Sequence, residues 1–192
     1  MMRAWSIVII MLTRLFHFLR RPAIWIVREI SGENGQPQKA LPAFTTLADI
    51  TDYARDRFVY RIDSIGLFGH ALKLDWITDP LVFQAKLNEA ITPDGDCDDY
   101  HAWVCACALR VPHVKRASLL TAIYATGGHA VSLIEFDDGS LTMINYQTHT
   151  PVLSVKHAAN LVAKWGTRDA QATAKRWLVE DWPSLKLTAS GW

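Results

Sequence analysis

Residues 92–103 read TPDGDCDDYHAW, and the interpretation of the whole chain starts from this stretch. A proline and a glycine within it interrupt any preceding helix, and Asp96 is of a residue type that commonly caps a helix N-terminus. The run from Asp99 to Leu109 contains no Gly or Pro and predicts a helix. Cys97 then falls in the first turn, where unpaired backbone N–H groups and the positive end of the helix dipole favour a thiolate. We therefore expect Cys97 to be a nucleophile that needs a base.

The segments on either side of this helix predict an α+β domain. Apolar residues at helical spacing and turn residues predict four further helices, at 47–57, 81–90, 154–165 and 167–182. Apolar runs after residue 112 predict three strands, at 117–126, 130–136 and 141–147. Helices followed by consecutive strands indicate an antiparallel sheet packed on the Cys97 helix.

Composition excludes several classes of protein. Half of the 192 residues are apolar, a fifth are charged and the formal net charge is +1, so the chain is neither disordered nor a strongly basic nucleic-acid binder. The three cysteines are odd in number and clustered, which argues against a disulfide framework. We interpret Cys105 and Cys107 as small buried hydrophobic residues. The cysteines suit a reducing compartment, but a catalytic Cys also occurs outside the cell, so the sequence leaves the localisation open and favours a cytoplasmic or membrane-associated protein.

The N-terminal segment predicts a separate element. On a helical wheel, residues 3–21 place their cationic and polar side chains in one stripe and apolar side chains elsewhere. Such a cationic amphipathic helix suits contact with a membrane surface, and Arg14 cuts the apolar run too short for a membrane span. Docking on protein and a targeting role are the alternatives. The polar linker at 31–42 divides the chain into an N-terminal helix and linker, 1–36, and a domain, 37–192.

The base that Cys97 needs is predicted to be His129. It begins an apolar strand directly after two glycines, whereas the other six histidines lie in the N-terminal segment, on the Cys97 helix or in loop-like settings. The turn at 136–140 suits a three-residue hairpin loop with Gly139 in the left-handed conformation. That loop places the side chains of His129 and Asn145 on one face of the sheet. Asn145 can then accept a hydrogen bond from the imidazole and orient it.

Three pieces of this sequence together resemble the bacterial transglutaminase-like cysteine proteinases of the papain-like superfamily: residues 94–100 (DGDCDDY), residues 128–131 (GHAV) and Asn145. The resemblance covers about residues 75–147 and implies a papain/transglutaminase-like fold. It implies that Cys97 is the nucleophile, His129 the base and Asn145 the orienting residue. The bacterial branch usually carries Asp at the third position, and Asn lacks the charge that stabilises an imidazolium.

The resemblance implies acyl transfer on amide bonds, with a protein or peptide as substrate and no cofactor. The favoured reaction is peptide hydrolysis through a thioester. The backbone N–H of Cys97 is the expected first oxyanion donor, and Trp76 is a candidate for the second. Calcium dependence, known for some relatives, is not carried over. Cation binding by the acidic residues at 94–99 is an open alternative, and helix capping and dipole complementarity are the favoured explanation for these residues.

Three alternatives remain open from the sequence. One is a zinc site, for which the candidate ligands are Cys97, His101, Cys105 and His113, although the paired spacing typical of such sites is missing. Another is a non-catalytic interaction module on the same fold. A third is transamidation in place of hydrolysis, because the access of water or amines to the thioester decides between them.

Overall fold

A computed structural model describes residues 40–60, 65–67, 70–72, 77, 79–88 and 94–192. The predicted amphipathic helix at 3–21, the domain boundary after residue 36 and Trp76 lie outside these ranges. The described residues contain four helices: α1 (Leu47–Arg55), α2 (Pro80–Asn88), α3 (Cys97–Ala108) and α4 (Val155–Thr167). The Cys97 helix and the helices predicted to begin near residues 47, 81 and 154 are therefore confirmed. None of these helices is long and apolar enough to cross a membrane.

Ten strands accompany these helices in the described part of the chain. They are β1 (Val59–Tyr60), β2 (Ile65–Leu67), β3 (His70–Leu72), β4 (Asp94–Gly95), β5 (Val114–Tyr124), β6 (Gly127–Phe136), β7 (Leu141–Asn145), β8 (Thr148–Val152), β9 (Arg176–Asp181) and β10 (Lys186–Gly191). Six of them form one sheet in the order β10-β9-β5-β6-β7-β8, in which every neighbouring pair is antiparallel. Two small pairs, parallel β1–β4 and antiparallel β2–β3, lie outside that sheet. The predicted α+β class with an antiparallel sheet is confirmed.

The hairpin between β6 and β7 sets the register that the candidate site needs. Gly139 has φ 81°, in the left-handed region where a side chain is disfavoured. The Phe136 N–H donates to the Ser140 carbonyl at 3.0 Å, and Glu135 pairs with Leu141. The predicted three-residue loop is thus confirmed.

Helices cover both faces of the six-stranded sheet. Leu119 and Ala130 pack with Ala102 of α3, whereas the next residues along the two strands, Leu120 and Val131, pack with α4. Because successive side chains of a strand point to opposite faces, α3 and α4 lie on opposite sides of the sheet.

The largest core cluster lies on the α3 side, around Trp103. The Trp103 ring is fully buried, and its Nε1–H donates to Gln84 Oε1 of α2 at 2.9 Å. The indole N–H therefore keeps a partner inside the core, and the bond ties α2 to the Cys97 helix.

The predicted helix at 167–182 is wrong, because Arg176–Asp181 form β9. This strand pairs with β5 on one side, as in Leu120 opposite Val179, and with β10 on the other. The alanine-rich residues before β9 favour a helix locally. Without β9, however, one edge of β5 would carry unpaired backbone N–H and C=O groups. The edge strands β8 and β10 were not predicted either. In particular, His149 lies in β8 and contacts Thr51 Oγ1 at 3.0 Å.

Candidate active site

Cys97 is the first residue of α3, and an acidic cap fixes the start of this helix. Asp96 adopts an extended N-cap conformation, and its Oδ1 accepts the Asp98 N–H at 3.1 Å. Asp99 closes the capping box by accepting the Asp96 N–H at 3.4 Å. A Cβ at position 95 would lie 2.7 Å from Asp99 Oδ2, so Gly95 is needed for this carboxylate to reach back. The residues from Gly95 to Asp99 therefore form a local capping motif that places Cys97 at the start of the helix.

The side chain of Cys97 contacts an apolar cluster, and its sulfur accepts a hydrogen bond from a backbone N–H. Its half-buried side chain packs on a small cluster that includes Ala102 and Leu119. The Ala130 N–H donates to Cys97 Sγ at 3.4 Å. A donor at this position and the N-terminus of α3 both favour negative charge on sulfur. Because Ala130 follows His129 directly, this contact brings the sulfur to the backbone beside the imidazole.

The imidazole of His129 is hydrogen-bonded to the side chain of Asn145. His129 Nε2–H donates to Asn145 Oδ1 at 2.9 Å, which confirms the predicted bond across the β6–β7 hairpin. A carbonyl oxygen can only accept, so Nε2 carries a proton and Nδ1 of the neutral ring is a base. Asn145 thereby selects the tautomer that a proton acceptor for Cys97 requires.

Opposing influences act on the charge of His129. Burial lowers its pKa below 6.5, since a desolvated imidazolium is unfavourable. The bond to Asn145 and the negative charge of Asp96 act in the opposite direction and raise it. The cap of α3 thus also contributes to the electrostatics of the base.

Two further side chains adjoin His129. Sequence reasoning did not consider Tyr146, and it named His101 only as a candidate zinc ligand. Tyr146 has φ 50°, and its ring centroid lies 5.7 Å from that of His129. His101 is fully buried, and its ring centroid is 6.1 Å from that of His129. The Ser132 N–H donates to His101 Nδ1 at 3.1 Å, so Nε2 carries the proton of the neutral ring. Among the residues that the structure describes, none is a hydrogen-bond partner of this Nε2. The one available signal was the position of His101 one turn beyond Cys97.

Burial also determines the charge state of His101. Complete burial holds its pKa well below the ordinary 6.5, and the proximity of His129 lowers it further. The imidazole that adjoins His129 is therefore neutral.

The four predicted zinc ligands do not form a cluster. Cys105 is fully buried, and His113 follows the C-terminus of α3, where its exposed Nδ1 lies 3.6 Å from Asp137 Oδ2. In the described ranges, Asp96, Asp98 and Asp99 are the only grouped ligands of the kind that holds metals, with candidate ligand atoms within 4.8 Å of one another. Helix capping accounts for the carboxylates of Asp96 and Asp99. Cys105 and Cys107 are both buried, as predicted.

These contacts bring His129 to Asn145 and the sulfur of Cys97 to the residue after His129. They provide elements of nucleophilic catalysis, which are a sulfur at a helix N-terminus, an imidazole whose Nδ1 is not used by the bond to Asn145 and an amide that orients the ring. Comparison with protein families, characterised proteins and solved structures finds no match to this chain. The functional conclusion therefore depends on this geometry and on the resemblance of the motifs.

Proposed function

We propose that this chain is a cysteine-nucleophile enzyme that hydrolyses amide bonds in peptides or proteins, on a papain/transglutaminase-like fold. The observation that supports the proposal most is the pair of contacts on consecutive residues: His129 to Asn145 at 2.9 Å, and the Ala130 N–H to Cys97 Sγ at 3.4 Å.

The reaction that follows from these roles proceeds through a thioester. His129 Nδ1 takes the thiol proton, and the Cys97 thiolate attacks the carbonyl carbon of the scissile amide. The C–N bond then breaks, and the leaving nitrogen receives the proton from the imidazolium. Water attacks the thioester while His129 accepts its proton, and the acid and the thiolate are released.

Negative charge on the tetrahedral intermediate needs a donor near the sulfur. The backbone N–H of Cys97 is the donor that we propose, because it belongs to the first turn of α3 and adjoins its own side chain. The cap engages the following amide groups, including the Asp98 N–H. Trp76, the sequence-based candidate for the second donor, lies outside the described residues.

A thiol-directed probe tests the proposal on the intact protein. We expect iodoacetamide at neutral pH to alkylate Cys97 far faster than Cys105, whose pKa burial raises to about 12, or Cys107, whose pKa burial also raises. His129→Ala is expected to abolish the selectivity. His113→Ala is the matched control, because this exposed histidine follows the far end of α3. Equal alkylation of Cys97 in the wild type and in His129→Ala would refute the proposal.

Labelled casein with a primary amine distinguishes the possible outcomes of catalysis. Fragments that require both Cys97 and His129 support hydrolysis. Incorporation of the amine without fragments would assign transamidation instead. A reactive Cys97 without either product would favour an interaction module that has kept the geometry.

A further inference from the structure

The strand β6 extends beyond its partner β7 at the end that carries His129. Ser132 opposite Ile144 is the last residue pair of the two strands on this side, whereas β6 begins at Gly127. The N–H groups of alternate strand residues point to the same edge, and here those of Ala130 and Ser132 donate to side chains of α3. Helix α3 therefore provides hydrogen-bond acceptors along β6 where the pairing with β7 ends.

The two acceptors on α3 lie one helical turn apart. Cys97 Sγ accepts the Ala130 N–H at 3.4 Å, and His101 Nδ1 accepts the Ser132 N–H at 3.1 Å. Four residues of helix advance by about 6 Å, and two residues of strand advance by about 6.6 Å. The spacing of the acceptors thus matches the spacing of the donors, and a slip of α3 along β6 by one residue would break both bonds.

Ser132 holds His101 through its side chain as well as its backbone. Its Oγ–H donates to the His101 carbonyl at 3.0 Å, and Oγ also lies 3.0 Å from His101 Nδ1. Both residues are 0% exposed, so bulk water does not compete for these groups. Three polar contacts between two buried residues therefore connect the middle of α3 to β6.

The His101 ring also contacts the candidate base. Its centroid lies 6.1 Å from that of His129, with the ring planes at 86°, and 5.3 Å from that of Tyr146, which itself contacts His129. Histidine is an unfavourable residue for filling core space, because its buried polar atoms need partners. The acceptor that His101 Nδ1 provides for Ser132 gives a physical reason for an imidazole at this position.

We propose that His101 and Ser132 are positioning residues, which fix α3 along β6 so that Cys97 stays beside His129. The inference rests on the proposed function and adds to it two residues that do not contact the substrate. Loss of the connection would let α3 shift relative to β6, and proton transfer between the sulfur and the imidazole depends steeply on such a displacement.

The pH dependence of iodoacetamide alkylation at Cys97 tests this role in the full-length chain. A cysteine that has lost its imidazole partner behaves as an ordinary thiol, with a pKa of about 8.5 and only about 3% thiolate at neutral pH. We therefore expect Ser132→Ala and His101→Phe to react about tenfold more slowly than the wild type at neutral pH. The rates should converge above about pH 9, because the reactivity of the thiolate itself is unchanged.

Two further variants separate positioning from a loss of stability. His101→Asn keeps an acceptor in the place of Nδ1 and should restore most of the wild-type profile, although it leaves a cavity that His101→Phe does not. Gln84→Met removes the acceptor of the Trp103 Nε1–H, which belongs to a different contact of α3, and keeps the contacts with β6. It should lower the free energy of unfolding and leave the alkylation profile unchanged.

Mass spectrometry after alkylation shows whether each variant is folded, because unfolding would also expose the buried Cys105 and Cys107. Ser132→Ala removes a single hydroxyl, so it decides the question if His101→Phe does not fold. A wild-type profile in Ser132→Ala would overturn the positioning role, as would an equal shift in Gln84→Met or a shift in His101→Asn as large as that in His101→Phe.

The wild type and His129→Ala are measured in the same series. Slow alkylation of wild-type Cys97, or no effect of His129→Ala, would refute the proposed function and this role with it. Fast alkylation that depends on His129 but not on Ser132 would refute the positioning role alone.

Discussion

Removal of the Asn145 amide should lower the fraction of Cys97 that is present as thiolate by a predictable amount. Its Oδ1 accepts the His129 Nε2–H at 2.9 Å, a good length for such a bond. A bond of this kind contributes about 1 kcal/mol when the imidazole is neutral and about 2 kcal/mol when it is charged. Asn145→Ala therefore costs the thiolate–imidazolium pair about 1 kcal/mol relative to the neutral pair. That difference corresponds to about a fivefold lower ratio of charged to neutral pairs.

The rate of iodoacetamide alkylation at Cys97, measured from about pH 5 to about pH 9, reports this ratio. We expect Asn145→Ala to react up to about fivefold more slowly at neutral pH. Asn145→Asp is the matched comparison and should react at least as fast as the wild type, because a carboxylate stabilises the imidazolium. An unchanged pH profile in Asn145→Ala would refute the argument that this bond orients and stabilises the base.

Three further predictions concern the elements that support the site. Complete burial lowers the pKa of His101, so below pH 6.5 the unfolded chain binds a proton that the folded chain does not. The free energy of unfolding should then fall by up to about 1.4 kcal/mol per pH unit on acidification, and urea titrations of His101→Phe should show a shallower dependence. Gly139→Ala should cost about 1–2 kcal/mol in urea unfolding, because φ is 81°; an unchanged midpoint would contradict the strained-turn argument. Asp96→Ala should cost about 1 kcal/mol and also slow alkylation of Cys97, since the cap and a charge that favours imidazolium are both lost. Asp96→Asn separates these effects, because it should recover the stability but not the alkylation rate.

Several features of the site follow from local sequence. The N-cap at Asp96, the position of Cys97 in the first turn and the loop with Gly139 each depend on a few neighbouring residues. Because side chains alternate along a strand, this loop was sufficient to predict that His129 meets Asn145. These predictions are confirmed as geometry, and the catalytic roles stay predictions.

Other features depend on contacts between distant segments. The strand β9 was mistaken for helix because its partner β5 lies about 60 residues earlier in the chain, where local propensity carries no information. The burial of His101 and the position of Tyr146 depend on how α3 packs on the sheet. The pairing of Tyr60 with Gly95 likewise joins two segments that are far apart in the chain, and neither segment's sequence predicts it.

The amino-acid sequence by itself thus determined where the helix of Cys97 starts and which face of the hairpin carries His129 and Asn145. Both depend on capping and turn geometry within a few residues. Only the tertiary structure decided the strand order, the contact of the neutral His101 imidazole with His129 and the pairing of Tyr60 with Gly95. These arise from packing and desolvation between segments far apart in the chain, which local residue preferences do not encode.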